Sequence, residues 1–199
     1  VLFDNLSNEN HAIGLQANWP ALQGPHNAQN VAAVTAAARI LGLSREAIVE
    51  ALQSYQALPH RMEPLAHING VSFIDDSKAT NADAAAQAVA AFDHVHWIMG
   101  GIAKNDELGP LEGVLPHVSK AYLIGSSQAL YQRLLEGRVA LECYSDLEQA
   151  VVQAFQDAQE TGGVVLLSPA CASQDQYKDF VARGEDFRRI VQRLRGDVQ

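Results

Sequence analysis

Nine consecutive residues, Phe73-Ile74-Asp75-Asp76-Ser77-Lys78-Ala79-Thr80-Asn81, set two acids, a lysine, two hydroxyls and an amide directly after a short apolar run. Lys78 can donate to a phosphate or a carboxylate, and Asp76 can accept from a sugar hydroxyl or a metal-bound water. With Thr80 they would point into one crevice. A plainer reading competes: Asn81 is only the N-cap of the next helix, and the acids solvate a turn. A pair of acids flanking one scissile bond fits poorly, because neighbouring side chains on a strand face opposite ways.

Other groups gather at what read as strand ends. In Gly100-Gly101-Ile102-Ala103-Lys104 the glycines let a ligand approach the backbone and Lys104 can reach an anion. Gly125-Ser126-Ser127 is a weaker anion site at a helix start, and Ser168-Pro169-Ala170-Cys171-Ala172-Ser173 is a run of small residues ending in a hydroxyl. Asn27 and Asn30, three apart at another helix start, share a face and read more readily as caps than as ligands. His94 and His96 would share a strand face but lack a third zinc ligand, and Cys171 has no base beside it and reads as a small residue in a tight turn. Neither G-x-G-x-x-G after a strand nor G-x-x-x-x-G-K-[ST] occurs, so the chain carries no dinucleotide fingerprint and no P-loop of its own.

The elements that must position these groups follow from periodicity. Apolar β-rich runs at Val71–Ile74, Val95–Met99, Tyr122–Ile124, Val139–Cys143 and Val164–Leu167 alternate with helical patterns at Ala82–Phe92, about Leu111–Val118, Gln128–Leu135, Leu147–Ala158 and about Glu185–Leu194. Five such units predict a Rossmann-like α/β fold with a mostly parallel, doubly wound sheet, whose polar loops all meet at one edge. Ser145 with Glu148 reads as a capping box, and Thr161-Gly162-Gly163 as a helix stop. Upstream, residues 1–25 hold short strand-like and loop-like pieces. Two helices follow, one with Val31, Val34, Ala38 and Leu41 as its stripe, the other capped by Ser44 with Ile48, Val49, Leu52 and Tyr55 buried. Leu58-Pro59-His60-Arg61 is the expected linker, dividing a helical and strand segment, 1–59, from an α/β domain, 60–199.

Composition sets bounds on this. At 199 residues and 48% hydrophobic, the chain suits one full core plus an attached piece. A formal net charge of -9 argues against nucleic acid as a partner, and Arg188, Arg189, Arg193 and Arg195 read as the exposed face of a terminal helix. Two cysteines without metal spacing point to a reducing compartment, and no apolar run spans a bilayer. A first residue other than Met, inside a strand-like run, suggests a fragment of a longer protein.

Taken in order, Gly24-Pro25-His26-Asn27-Ala28-Gln29-Asn30, His60-Arg61-Met62-Glu63, Asp75-Asp76-Ser77-Lys78-Ala79-Thr80-Asn81, Gly100-Gly101 with Lys104, and Leu167-Ser168-Pro169-Ala170-Cys171-Ala172-Ser173 resemble the Mur ligases of peptidoglycan synthesis. The resemblance runs from about Gly24 onward, and the Asp76–Asn81 motif is similar to that of the members that add D-glutamate. It implies the tail of a central ATPase domain up to residue 59, then the whole amino-acid-binding domain, with the P-loop lying outside this sequence and the fragment inactive alone. The implied reaction is ATP-dependent amide formation between UDP-N-acetylmuramoyl-L-alanine and D-glutamate through an acyl phosphate, with Mg2+ held mainly by the remainder of the central domain. Carried over residue by residue, Asn27 and Asn30 lie by adenine, Arg61 by the phosphates, Asp76 by the ribose, and Lys78 near the reacting centre. Thr80, Lys104, Ser173 and Phe180 hold D-glutamate. Gln174, where an apolar residue is expected, and Tyr177, where phenylalanine is familiar, depart from the pattern. A monomeric, cytoplasmic bacterial enzyme is implied, with the base for the amine unassigned. A sister ligase for another amino acid and a non-catalytic α/β binding module remain as alternatives, separated by amino-acid competition and by restoring the rest of the protein.

Overall fold

The computed structural model describes residues 2–4, 11–22, 24–56 and 58–197. They form two units, Val1–Ala57 and Leu58–Gln199. In the first, strands β1 (Leu2–Asp4) and β2 (His11–Gly14) pair antiparallel, and helices α1 (Pro25–Ile40) and α2 (Arg45–Ser54) follow two short 3-10 turns. The pieces expected over residues 1–25 are thus a hairpin and turns, with residues 1, 5–10 and 23 outside the described set. Ile13, Trp19, Leu22, Val31, Ile48 and Leu52 make this unit's core. The stripe of α1 runs through Val31, Thr35 and Ala38, while Val34 and Leu41 are 63% and 79% exposed, so Val31 and Ala38 of the expected stripe face the core and the other two do not. Ser44 caps α2 through its hydroxyl as expected. The helix stops at Ser54 because Tyr55 is already extended, and that leaves the Tyr55 ring exposed rather than in the stripe.

The second unit contains strands β3 (Glu63–Ile68), β4 (Val71–Asp75), β5 (Val95–Gly100), β6 (Val118–Ile124), β7 (Ala140–Cys143) and β8 (Val164–Leu167). Its helices are α3 (Ala82–Val89), α4 (Gln128–Leu135), α5 (Leu147–Thr161) and α6 (Phe180–Asp197). The strands form one sheet in the order β3-β4-β8-β5-β6-β7, all parallel except β3. Side chains alternate between two cores, as a period of two requires. Ile74, Trp97, Met99, Leu123 and Leu166 pack with α3 and α4 on one face. Phe73, Ile98, Tyr122, Val165 and Leu167 pack with α5 and α6 on the other. This is the doubly wound α/β sheet that the alternation predicts. β8, last in sequence, lies between β4 and β5, so the loops leaving those three strands are neighbours.

The structure differs from the expected elements at several points. β3 is an additional antiparallel edge strand, joined to β4 through Asn69 (φ 48°) and Gly70 (φ 83°), a turn that needs positive φ at both places. The expected Leu111–Val118 helix is a 3-10 stretch, Gly109–His117, because Pro110 and Pro116 remove the amides that α-helical bonding would use. α3 ends at Val89 rather than Phe92. The cap of α5 is Asp146, which accepts from the Gln149 amide at 2.9 Å, not Ser145. α6 begins at Phe180, five residues before the expected start, with Asp179 accepting from the Ala182 amide at 2.8 Å. No described helix is long and apolar enough to cross a membrane.

Candidate functional site at the carboxyl edge of the sheet

The strand alternation sends Asp75 and Asp76 to different partners. Asp76 turns toward β8, where its carboxylate accepts from the Ser168 hydroxyl at 2.8 Å and, on its other oxygen, from the Met62 amide at 3.2 Å. Its own amide donates to Leu167 O at 2.8 Å. Burial pushes its pKa up to about 7 against the lowering effect of those two donors. The folded state therefore holds the Asp76 proton over a window, from 3.8 to about 7, in which the unfolded chain has released it. Stability present below pH 3.8 is lost as pH rises through that window. Asp76→Asn keeps the shape and removes the titration. Melts from pH 4 to 8 are expected to show wild type losing stability relative to this variant, by roughly 1 kcal/mol per pH unit until neutrality. Parallel curves would contradict the buried carboxyl.

Asp75 turns the other way. It is fully buried, accepting from the Ser77 amide at 2.9 Å and lying 2.7 Å from His60 Nδ1. Burial raises its pKa despite both contacts. His60 and Met62 have φ of 61° and 47°, a left-handed backbone that carries strain in residues with a Cβ. That kink turns the His60 ring inward, 2% exposed, and leaves Arg61 between them exposed. It is held by the His60 amide donating to Glu63 at 3.0 Å and by the Lys78 amide donating to His60 O at 3.0 Å. His60, within the expected linker, therefore carries the backbone of Lys78.

Lys78 lies with its ammonium 3.9 Å from the centroid of the Phe180 ring, a cation–π contact. One residue earlier, the Ser77 hydroxyl donates to Phe180 O at 2.8 Å, tying the β4 loop to the first turn of α6. Asn81 accepts from the Ala84 amide at 2.9 Å, so the capping reading of that residue holds. The loop after β8 is pinned by a bridge between Ile102 and Ala172 and by Asp175, which accepts from the Ser126 amide at 2.7 Å. That carboxylate fills the Gly125-Ser127 turn, which had been a candidate anion site. Gly101 permits the bridge, since a Cβ there would run into Ala172 O. Ser173 is 1% exposed, and its hydroxyl oxygen has no hydrogen-bond partner. Tyr177 hydrogen-bonds Asp186 at 2.9 Å, which accounts for a hydroxyl where phenylalanine is familiar, and Gln174 is exposed.

The structure thus brings together Lys78 and Phe180, and places Asp76 and Ser173 in the adjoining loops. Thr80 is half-buried in the same turn. Lys104 is exposed and lines a cavity of about 300 Å³ with Asn81, Asp83, Tyr131 and Ala170. Asn27, half-buried, and Asn30, exposed, belong to the first unit, on the opening turns of α1. His94 precedes β5 with φ 55° and is exposed, so it does not share a strand face with His96. The His96 ring is engaged by Tyr122 and Thr161 at 2.8 and 3.0 Å, which removes the pair as a metal site. Among the described residues the one cluster with metal-ligand proximity is His60, Glu63 and Asp75. Its atoms are spent on one another and on Arg188, 2.8 Å from Glu63, so they do not fit a Mg2+ ion. Sequence reasoning missed the His60–Asp75 pair and Arg183. Gly184, directly ahead of the expected Glu185 start and inside α6 in the structure, was the available signal, since helices carry a glycine at a cost.

Residues 60–171 match the family model described as Mur ligase, glutamate ligase domain. The chain is 49% identical over 193 residues to the UDP-N-acetylmuramoylalanine–D-glutamate ligase of Zymomonas mobilis, covering 96% of this chain and 42% of that protein. It is 50% identical over 184 residues to the ligase of the same name from Sphingopyxis alaskensis, covering 90% and 42%. The chain therefore spans about two fifths of the length of these relatives. In fold it is similar to UDP-N-acetylmuramate-alanine ligase MurC of Thermotoga maritima, with a TM-score of 0.59 at 18% identity over 87% of this chain and 39% of that one.

Proposed function

Because this chain belongs to the Mur ligase family, carrying its glutamate ligase domain, we propose that within a full-length protein it serves the ATP-dependent addition of D-glutamate to UDP-N-acetylmuramoyl-L-alanine. The observation that carries this reading is the placement, in adjoining loops at one sheet edge, of the Lys78 ammonium on the Phe180 ring and of a buried, unpartnered Ser173 hydroxyl. The two carboxylates of D-glutamate need a cation and hydroxyl donors, which Lys104, Thr80 and Ser173 supply in a protein of net charge -9, while Lys78 serves the phosphate. Thr80, Lys104, Ser173 and Phe180 hold the amino acid. Asn27 and Asn30 meet the adenine, Arg61 the phosphates and Asp76 the ribose.

The γ-phosphate of ATP passes to the terminal carboxylate of the UDP-linked substrate, giving an acyl phosphate and ADP. The neutral amine of D-glutamate then attacks the carbonyl carbon, and inorganic phosphate leaves from the tetrahedral intermediate. Lys78 offsets the charge that develops on the phosphate oxygens. Arg61, exposed in the linker, supports the same charge. The cluster of His60, Glu63 and Asp75 is spent on its own contacts, and Mg2+ and the P-loop are assigned to the remainder of the full-length protein. A monomeric cytoplasmic enzyme of peptidoglycan synthesis is the corresponding setting.

The test is ligation by the full-length protein with D-glutamate, L-glutamate and a diamino acid in competition. Preferential incorporation of D-glutamate is expected, and its absence would sink the reading. In the same assay Lys104→Ala is expected to raise KM for D-glutamate about tenfold, the loss of one charge-assisted contact, with kcat near wild type. An unchanged KM would remove Lys104 from the site.

A further inference from the structure

Arg183 is 1% exposed, one of the largest fully buried side chains in the protein. Its guanidinium makes no ion pair among the described residues. Instead Nε donates to the Ser77 hydroxyl at 3.0 Å, and one terminal nitrogen donates to both Ser77 O at 2.9 Å and Cys171 O at 3.2 Å. Burial lowers its pKa to about 10, which leaves it charged at neutral pH. A buried cation held only by neutral oxygens is an expensive arrangement for stability alone. What it joins are the loops that leave β4 and β8, through residues immediately before Lys78 and two before Ser173.

We propose that Arg183 is a positioning residue for the amino-acid half of the site: its planar fork fixes the β4 loop against the β8 loop, and so sets the separation between Lys78 and Ser173. The proposal rests on the ligase reading above. Three features support it. The hydroxyl of Ser77 that receives Arg183 is the same one that donates to Phe180 O, so a single hydrogen-bond chain runs from Arg183 through Ser77 to the backbone of Phe180, the residue whose ring lies under Lys78. The carbonyls of Ser77 and Cys171 share one nitrogen, which fixes the gap between the two loops to within the length of two hydrogen bonds. The contact also uses two nitrogens of one rigid plane, which a lysine ammonium cannot reproduce although it keeps the charge.

The test uses Arg183→Lys and Ser77→Ala in the full-length protein. Two measurements are made, ligation kinetics and amide hydrogen exchange without substrate. Arg183→Lys is expected to raise KM for D-glutamate about tenfold or more and, because Lys78 rides on the same loop, to lower kcat about tenfold, with KM for the UDP-linked substrate unchanged. Ser77→Ala moves KM in the same direction by less. In both variants the amides of Thr80 and Tyr177, which bond within these two loops, exchange faster while those of the strands do not. A uniform loss in every kinetic constant together with faster exchange throughout the sheet would reduce Arg183 to general stability and overturn the proposal. Unchanged KM and unchanged loop exchange in Arg183→Lys would overturn it as well. Exchange needs no substrate, so if the wild-type protein fails to use D-glutamate, the ligase reading falls while the exchange data still decide whether Arg183 locks the loops.

Discussion

Lys78→Ala in the full-length protein is expected to lower kcat about 100- to 1,000-fold while KM for D-glutamate moves less than about threefold, the pattern of a group whose interaction strengthens in the transition state. The reason lies in what the ammonium touches. In the resting structure it sits over an aromatic ring, 3.9 Å from the Phe180 centroid, and pairs with no carboxylate among the described residues. A cation parked on a ring gives up little when phosphate charge develops nearby, so most of its contribution appears in the rate. Lys78→Arg separates charge from shape: retained turnover would show that a positive charge suffices, and a loss equal to that of alanine would show that the point charge of an ammonium is required. Equal changes in kcat and KM on alanine substitution would sink the role. Stopped-flow measurement of ADP formation against amide formation places the defect before or after the acyl phosphate.

Gly184→Ala is expected to destabilise the second unit by about 3 kcal/mol in chemical denaturation, a large effect for one methyl group. A Cβ at this position of α6 would collide with His60 Nδ1 and lie 2.9 Å from Asp75 Oδ2. Neither neighbour can yield cheaply. The His60 ring is held by Asp75, Asp75 is held by the Ser77 amide, and all three are buried. Relief requires breaking a buried pair or lifting α6 away from β4. Because His60 O also receives the Lys78 amide, the variant should lose activity beyond its loss of fold. A destabilisation below about 1 kcal/mol would mean that the His60 ring has room to move.

Most of the second unit could be read from pattern. Short apolar strands between helical repeats announced five parallel strands, and each of them is present. What could not be read was non-local. Nothing in Val164–Leu167 says that this strand inserts between two earlier ones, because strand order is decided by pairing and not by local propensity. β3 escaped because a half-buried edge strand with Pro64 in it has a weak signature, although the Asn69-Gly70 turn advertised a hairpin. α6 was expected late because Arg183 and Gly184 look unlike a helix start, yet both are there for tertiary reasons.

The site shows the same division. Lys78, Phe180, Ser173 and Asp76 were legible through motif and resemblance, and the structure places them in adjoining loops and at the start of α6. Arg183 was invisible. Its chemistry is that of any surface arginine, and the burial that distinguishes it depends on Ser77, 106 positions away in sequence. The two adjacent acids could be separated in advance by strand geometry, but not the identity of their partners, His60 and Ser168.

The placement of β8 also governs how this protein is made. Until Val164–Leu167 emerges from the ribosome, β4 and β5 have no partner between them, and each presents an unpaired inner edge. The nascent unit must keep that slot open through the synthesis of β6, β7 and α5. Loop closure over so long a stretch is slow, and open strand edges are adhesive. Chains stalled before β8 would hold every residue of the Asp76–Asn81 motif and still have no site. Assembly of the carboxyl edge is therefore a terminal event of folding, and exposure to chaperones or self-association is greatest just before it.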